Sequence, residues 1–435
     1  MRFSLDEIAK ATGAEVSGQE KFEISTDTRT IKNGDLYLPL KGASFDGEDF
    51  CDKALENGAE GCFYTKNCNA KLKIKVDDTL KTYLQIANFA KNKYNPIVIG
   101  VTGSSGKTTT KEMIFSVVSE KFKTQKTFSN HNNEIGFCQT VLSMQDDCEV
   151  LIVEMGMRGL GEIELITKYA EPDFAVITNA GSAHIGRLGS LENIAKAKCE
   201  ITKHLKKSLI AHNNERIKKF AEFNGEKIFY SINDTKILEK RNGYTKFVYK
   251  DKEYELNIEG DYNVENSISA IEIGYKLNMT YEEIKSGLAK YKPIEKRWEM
   301  ENIKDFNIIN DSYNANPESM KASVSTFLEL YKNPVVILGN MGELGEDEIK
   351  FHKEVGQFLG NKFSSLSNSA KFLIVGDLAK NIGNEISNFG FDVEFFNNNI
   401  ETSRYILDNI DAGSTIFLKA SRSMKFEEII ENLKR

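Results

Sequence analysis

The stretch VTGSSGKTTTKE, residues 101–112, constrains this chain more than any other. It follows the apolar, β-branched run IVIGV (97–101) and precedes Met113, Ile114, Val117 and Val118, which recur at helical spacing. Strand, glycine loop, helix is the context in which a helix's first N–H groups point at bound phosphate. Gly103 and Gly106 permit backbone angles and a close approach that a side chain would forbid. In such a loop Lys107 neutralises β/γ-phosphate charge, and the Thr108 hydroxyl reaches magnesium. The general pattern G-x-x-x-x-G-K-[ST] asks for glycine where Val101 stands, so this loop has a spacing of its own.

The rest of the chain repeats that alternation. IVIGV, VLIVE (150–154), FAVIT (174–178) and SLIAH (208–212) are buried-type β runs with helical patterns between them, which predicts a mostly parallel sheet covered on both faces. KFVYKDKEYELNIEG (246–260) alternates apolar and polar and reads as a hairpin appended to that sheet. After the charged, proline-containing KPIEKRWEM (292–300), a second series, FNIIN, PVVILGN, KFLIVGD and STIFLKA, has the plan of an open doubly wound sheet. The prediction is an α/β chain of three domains. These are a small α/β domain over 1–93, a central P-loop ATPase domain over 94–301 and a Rossmann-like doubly wound domain over 302–435. At 435 residues the chain is too long for a single core.

A net charge of −7 argues against nucleic acid or an anionic membrane as the main partner. No run reaches the ~18 uncharged apolar residues of a membrane span, so a cytoplasmic chain is expected. The six cysteines lack C-x-x-C spacing and are read as reduced, structural thiols rather than a disulfide framework or zinc site.

A phosphate loop needs an acid for its metal, and VLIVE supplies Glu154 at the carboxyl end of a strand. His184 lies beyond the next strand, in the crevice where open α/β sheets bind ligands. No N-K-x-D base reader follows Asn92-Lys93 or Asn361-Lys362, which disfavours a GTPase switch. ATP-driven ligation suits three domains better than a small-molecule kinase, with a nucleotide-dependent binding protein as the alternative from another class.

TGSSGKTT, TFSNHNNEIG (127–136), EMGMRGLGEIELI (154–166), TNAGSAHIGRLGSLENIAKAKCEI (178–201), NDSYNANPESM (310–320) and LGNMGELGE (338–346) together resemble the Mur ligases, the ATP-dependent amide ligases that build the peptide of bacterial peptidoglycan. The resemblance spans the whole chain. It implies ATP and two magnesium ions, with UDP-N-acetylmuramoyl-tripeptide and D-alanyl-D-alanine as substrates, and a monomer. It implies that Gly103, Ser104, Ser105, Gly106, Lys107, Thr108 and Thr109 cradle ATP phosphates, that Thr108 and Glu154 hold one metal, and that His184 with a carbamylated Lys198 serves the second. Arg297 resembles the arginine that reaches the γ-phosphate, Asn266 the residue near adenine, and Asp311 the acid near the ribose or hinge. Ser25, Thr26 and Arg29 match the uridine-nucleotide segment. Asn130, His131, Asn132 and Asn133 match the path of the muramoyl peptide, and Lys419 and Arg422 match a K-G-S-R motif. Tyr262, Ala420, Cys138 and Asn340 stand where the family commonly has histidine, glycine, proline and aspartate.

Overall fold

The computed structural model describes every residue of the chain except Ala43, Glu295, Ser367 and Asn368. Ala43 falls in the segment matched to the uridine nucleotide and Glu295 in the 292–300 passage, so these two positions lie outside the described residues. The N-terminal part holds a short antiparallel pair, β1 (Phe3–Ser4) and β2 (Lys21–Phe22). It also holds a parallel sheet of β3 (Ile24–Ser25), β4 (Leu36–Tyr37), β5 (Gly61–Tyr64) and β6 (Leu72–Lys75), paired in that order.

The central sheet comprises β7 (Ile97–Thr102), β8 (Thr124–Lys126), β9 (Val150–Glu154), β10 (Phe174–Ile177), β11 (Ser208–His212) and β12 (Glu226–Tyr230). Its spatial order is β12-β11-β10-β7-β9-β8, parallel throughout, which is why β9 and β10 are buried at every position. The helix Lys107–Val118 follows β7 and buries Met113, Ile114, Val117 and Val118. Each such side chain removed from water is worth about 2 kcal/mol. That anchors the helix despite its three threonines, whose β-branching weakens helix propensity.

Residues 235–256 depart from the appended hairpin. β13 (Thr235–Arg241), β14 (Tyr244–Tyr249) and β15 (Lys252–Leu256) form a separate three-stranded antiparallel sheet. The extra strand, TKILEKR, is largely exposed and charged, so its sequence carries little β signal.

The C-terminal sheet contains β16 (Glu299–Ile303), β17 (Phe306–Asn310), β18 (Val335–Gly339), β19 (Lys371–Val375), β20 (Asp392–Phe396) and β21 (Thr415–Lys419). The order is β16-β17-β21-β18-β19-β20, parallel except for the β16/β17 pair. The four apolar runs read from sequence are β17, β18, β19 and β21, and the two edge strands are the charged EMENI and DVEFF.

All six cysteines are free and buried, and Cys51, Cys62 and Cys68 converge with their sulfurs within 4.8 Å of one another although no C-x-x-C links them. Among the described residues no helix is long and apolar enough to cross a membrane.

His352, fully buried, shapes the loop after β18. Its Nε2 accepts from the Met341 N–H at 2.9 Å, so its Nδ1–H donates to the Glu348 carbonyl at 2.7 Å and the ring is neutral. Burial pushes its pKa below the ordinary 6.5. The unfolded chain therefore takes up this proton first, and stability falls as pH drops below about 6.5 towards the depressed folded value. Between about pH 7.5 and about pH 5.5 the unfolding temperature of the wild-type chain should fall more steeply than that of His352→Gln. Parallel slopes in a thermal scan would show that His352 is not responsible.

Candidate active site

Strand register gathers the site. Val101 pairs with Glu154 across β7/β9, and Thr102 pairs with Ile177 across β7/β10. Because the three strands are parallel, the glycine loop, the acid and the 178–184 segment share one edge, the crevice outside the carboxyl ends.

The loop itself is held by its neighbour. Asn179 Oδ1 accepts from the backbone N–H of Ser104 (3.1 Å) and Ser105 (2.9 Å), and the Thr178 hydroxyl donates to the Ser105 carbonyl at 2.5 Å. The Ser104 hydroxyl donates to the Gly181 carbonyl at 2.8 Å. Gly103 has φ +152°, and a Cβ there would lie 1.9 Å from Thr178 Oγ1. Gly106 has φ +78°, and a Cβ there would lie 2.6 Å from Asn266 Oδ1, so glycine is required at both places. Asn266 thus packs on the loop from the buried side of the helix Asp261–Lys276. Tyr262 on the same helix is half-buried and edge-on to Trp298.

Charge is concentrated around Glu154, which is 2 % exposed. Its Oε1 accepts from the Thr108 hydroxyl (3.2 Å) and the Asn132 amide (3.0 Å), while its Oε2 accepts no hydrogen bond among the described residues and lies 3.5 Å from the Lys111 ammonium. Arg297 reaches in from the 292–300 passage. Its guanidinium donates to Thr108 Oγ1 at 3.1 Å and stacks 4.0 Å from the Tyr313 ring centroid, which fixes its plane. Lys107 donates to the Gly103 carbonyl at 2.8 Å. Burial pushes its ammonium below the ordinary lysine range, with the Glu154 carboxylate opposing that shift.

His184 and Lys198 follow β10 along the chain. His184 adopts φ +67° at the start of the short helix Ile185–Leu188, and its Nδ1 lies 2.6 Å from Glu343 Oε2. Lys198, in the last turn of the helix Leu191–Cys199, has no exposed surface, and among the described residues its Nζ has no hydrogen-bond partner. Burial, then the charge of Lys107, pushes its pKa well below the ordinary lysine value.

The C-terminal domain closes directly on the loop. Asn316 Nδ2 donates to Ser105 Oγ at 2.8 Å, and Glu318 accepts from Ser182 at both its N–H (3.0 Å) and its hydroxyl (2.8 Å). Asp311 and Lys419 pair with each other at 2.6 Å, with the lysine 3 % exposed. Arg422 lies 3.4 Å from Glu427 and 6.0 Å from the Tyr313 centroid.

The residues expected along the substrate path divide. Asn132 turns inward to Glu154, Asn133 caps the helix Glu134–Leu142 by accepting from the Gly136 N–H, and Asn130 and His131 are exposed. Ser25 and Arg29 bond within their own turn, the arginine bidentate to Asp27, and Thr26 is half-buried beside them. That group stands apart from the glycine loop. Sequence reasoning missed Lys111, Asn179, Tyr313, Asn316, Glu318 and Glu343. All six lie inside quoted motif blocks, yet their partners are far along the chain, so only position within those blocks could have flagged them.

Three family models cover most of the chain: the Mur ligase middle domain over residues 101–274, the Mur ligase glutamate ligase domain over 296–422, and the Mur ligase family catalytic domain over 23–101. The chain is 36% identical to the UDP-N-acetylmuramoyl-tripeptide–D-alanyl-D-alanine ligase of Bacillus subtilis, over 94% of this chain and 92% of that protein. A crystal structure of MurF from Acinetobacter baumannii superimposes with a TM-score of 0.91 at 25% identity, covering 100% of this chain and 99% of that one. MurF from Thermotoga maritima in complex with ADP gives 0.84 at 26% identity, covering 95% and 97%. With matching models along its length and a glycine loop, acid and lysine gathered at one sheet edge, the chain belongs to the Mur ligase family.

Proposed function

We propose that this chain joins D-alanyl-D-alanine to UDP-N-acetylmuramoyl-tripeptide with ATP, through an acyl phosphate, in cytoplasmic peptidoglycan precursor synthesis. One observation supports it above the others: Lys107, Thr108, Glu154 and Arg297, drawn from separate segments, meet at the mouth of the phosphate loop. Residues 1–93 would receive the uridine nucleotide through Ser25, Thr26 and Arg29, residues 94–301 the ATP, and residues 302–435 would close over both, with the enzyme acting as a monomer.

The residues fit the metal and the carbamate. Glu154 Oε2 is a buried carboxylate oxygen without a hydrogen bond, beside a threonine hydroxyl, and this is an oxygen donor set suited to magnesium. Thr108 and Glu154 would hold one ion, and His184 with a modified Lys198 the second. When bound, magnesium spreads the charge of the transferring phosphoryl group. Burial without a hydrogen-bond partner disfavours the charged form of the Lys198 amine, and the neutral amine is the form that can attack carbon dioxide. That attack forms an N–C bond, moves one C=O bonding pair of carbon dioxide onto oxygen, releases one proton from nitrogen and turns the neutral amine into an anionic oxygen ligand.

A carboxylate is a poor electrophile, because its carbonyl is already electron-rich and oxide is a poor leaving group. The terminal carboxylate of the tripeptide attacks the γ-phosphorus of ATP, ADP departs, and the amine of the dipeptide then adds to the acyl carbon and expels phosphate. Lys107 and Arg297 offer fixed positive charge where charge builds on the phosphoryl oxygens. Asn316 and Glu318 hold the C-terminal domain against the loop, which keeps water from the acyl phosphate. Lys419 and Asp311 brace the floor of that closure, with Arg422 at its rim and Asn266 beneath the loop towards the adenine.

Lys107→Ala should cut ADP formation at least about 100-fold while the chain stays folded by circular dichroism. Near wild-type turnover would sink the assignment. Lys198→Ala should lose activity and regain part of it with added acetate or formate, and a fully active variant would remove the carbamate role.

A further inference from the structure

A second cation lies one helical turn beyond Lys107 and enters none of the steps above. Lys111 has no exposed surface, and its Nζ sits among four oxygens from three segments. It donates to the Thr127 carbonyl at 2.8 Å and the Ser129 carbonyl at 3.4 Å, and it lies 3.3 Å from Glu112 Oε1 and 3.5 Å from Glu154 Oε2. Burying an ammonium is unfavourable unless it is paired and hydrogen-bonded, and a methionine would fill the same volume without that penalty.

What the charge holds is specific. Glu154 has Thr108 and Asn132 on one oxygen and, among the described residues, the Lys111 ammonium as the ion-pair partner of the other. Segment 127–133 is tied to the same strand. The Glu154 N–H donates to Thr127 Oγ1 at 3.0 Å, and the Gly156 N–H donates to the Asn132 carbonyl at 2.7 Å. Ser129, whose carbonyl Lys111 takes, is a non-glycine residue at φ +49°, a conformation that needs outside support. Glu112 in turn pairs with Lys126 on β8, so the ammonium is framed by carboxylates on two sides.

We propose that Lys111 is a positioning residue: it sets the Glu154 carboxylate for its metal and fixes segment 127–133 to the same point, so that use of magnesium and use of the tripeptide are coupled. The naming of the tripeptide rests on the ligase reading above.

The test compares Lys111→Met and Lys111→Arg in the full chain. Lys111→Met should raise both the half-saturating magnesium concentration for ADP release and the KM for UDP-muramoyl-tripeptide at least about tenfold. It should also speed amide hydrogen exchange over 129–133 without substrates, while calorimetric binding of ADP without magnesium stays within about twofold. Lys111→Arg, which keeps the charge but not its reach, should show an intermediate rise of about threefold in both kinetic readouts. A Lys111→Met chain with a lower unfolding temperature but unchanged magnesium requirement, KM and loop exchange would overturn the proposal. If that variant does not fold, Lys111→Arg decides, and no rise in either kinetic readout overturns it. Should the wild-type chain release no ADP with both substrates, the ligase reading fails. Magnesium-dependent ADP binding and loop exchange then still decide Lys111.

Discussion

The parallel pairing of β7 with β9 on one side and β10 on the other is the constraint on which the site depends. Parallel strands end on the same side, so three segments remote in sequence deliver their last residues to one edge. The glycine loop, Glu154 and the 178–184 segment meet there without any further device. A one-residue slip in β9 would turn Glu154 to the opposite face and leave Thr108 without its partner. The apolar runs that bury both faces of the sheet therefore fix the chemistry as much as the fold.

On that edge the chain places more charge in low-dielectric surroundings than a core tolerates elsewhere. Lys111, Lys198 and Glu154 are buried and Lys107 and Arg297 half-buried, and each is handled differently. Lys111 is satisfied by carbonyls and carboxylates, and Arg297 by stacking on Tyr313. Lys198 Nζ has no hydrogen-bond partner among the described residues, which is unusual for a buried amine. Local rules of burial are broken where function requires it.

Much of the architecture was legible because buried parallel strands write themselves as apolar runs: β7, β9, β10 and β11, then β17, β18, β19 and β21. The misses share a cause. β13, β16 and β20 sit at sheet edges with charged residues facing water, so periodicity is blurred and the run reads as loop. At the site the phosphate loop and Glu154 were readable because each is local, a strand end with its own residues. Lys198 was readable only through the family resemblance, since an isolated helix lysine resembles any solvated one. Asn179 on the loop amides, Asn316 on Ser105 and Glu318 on Ser182 join residues far apart along the chain, and no spacing within one segment announces such pairs.

The most direct test follows the oxygen atoms. With the tripeptide's terminal carboxylate labelled with oxygen-18, activation by ATP makes one carboxylate oxygen the bridge of the acyl phosphate. Attack by the dipeptide amine at carbon then leaves that oxygen on phosphorus. Mass spectrometry of the released phosphate should find one labelled oxygen per amide bond formed, with ADP unlabelled. Label retained wholly in the peptide, or carried into a nucleotide, would contradict carboxylate activation at the γ-phosphate.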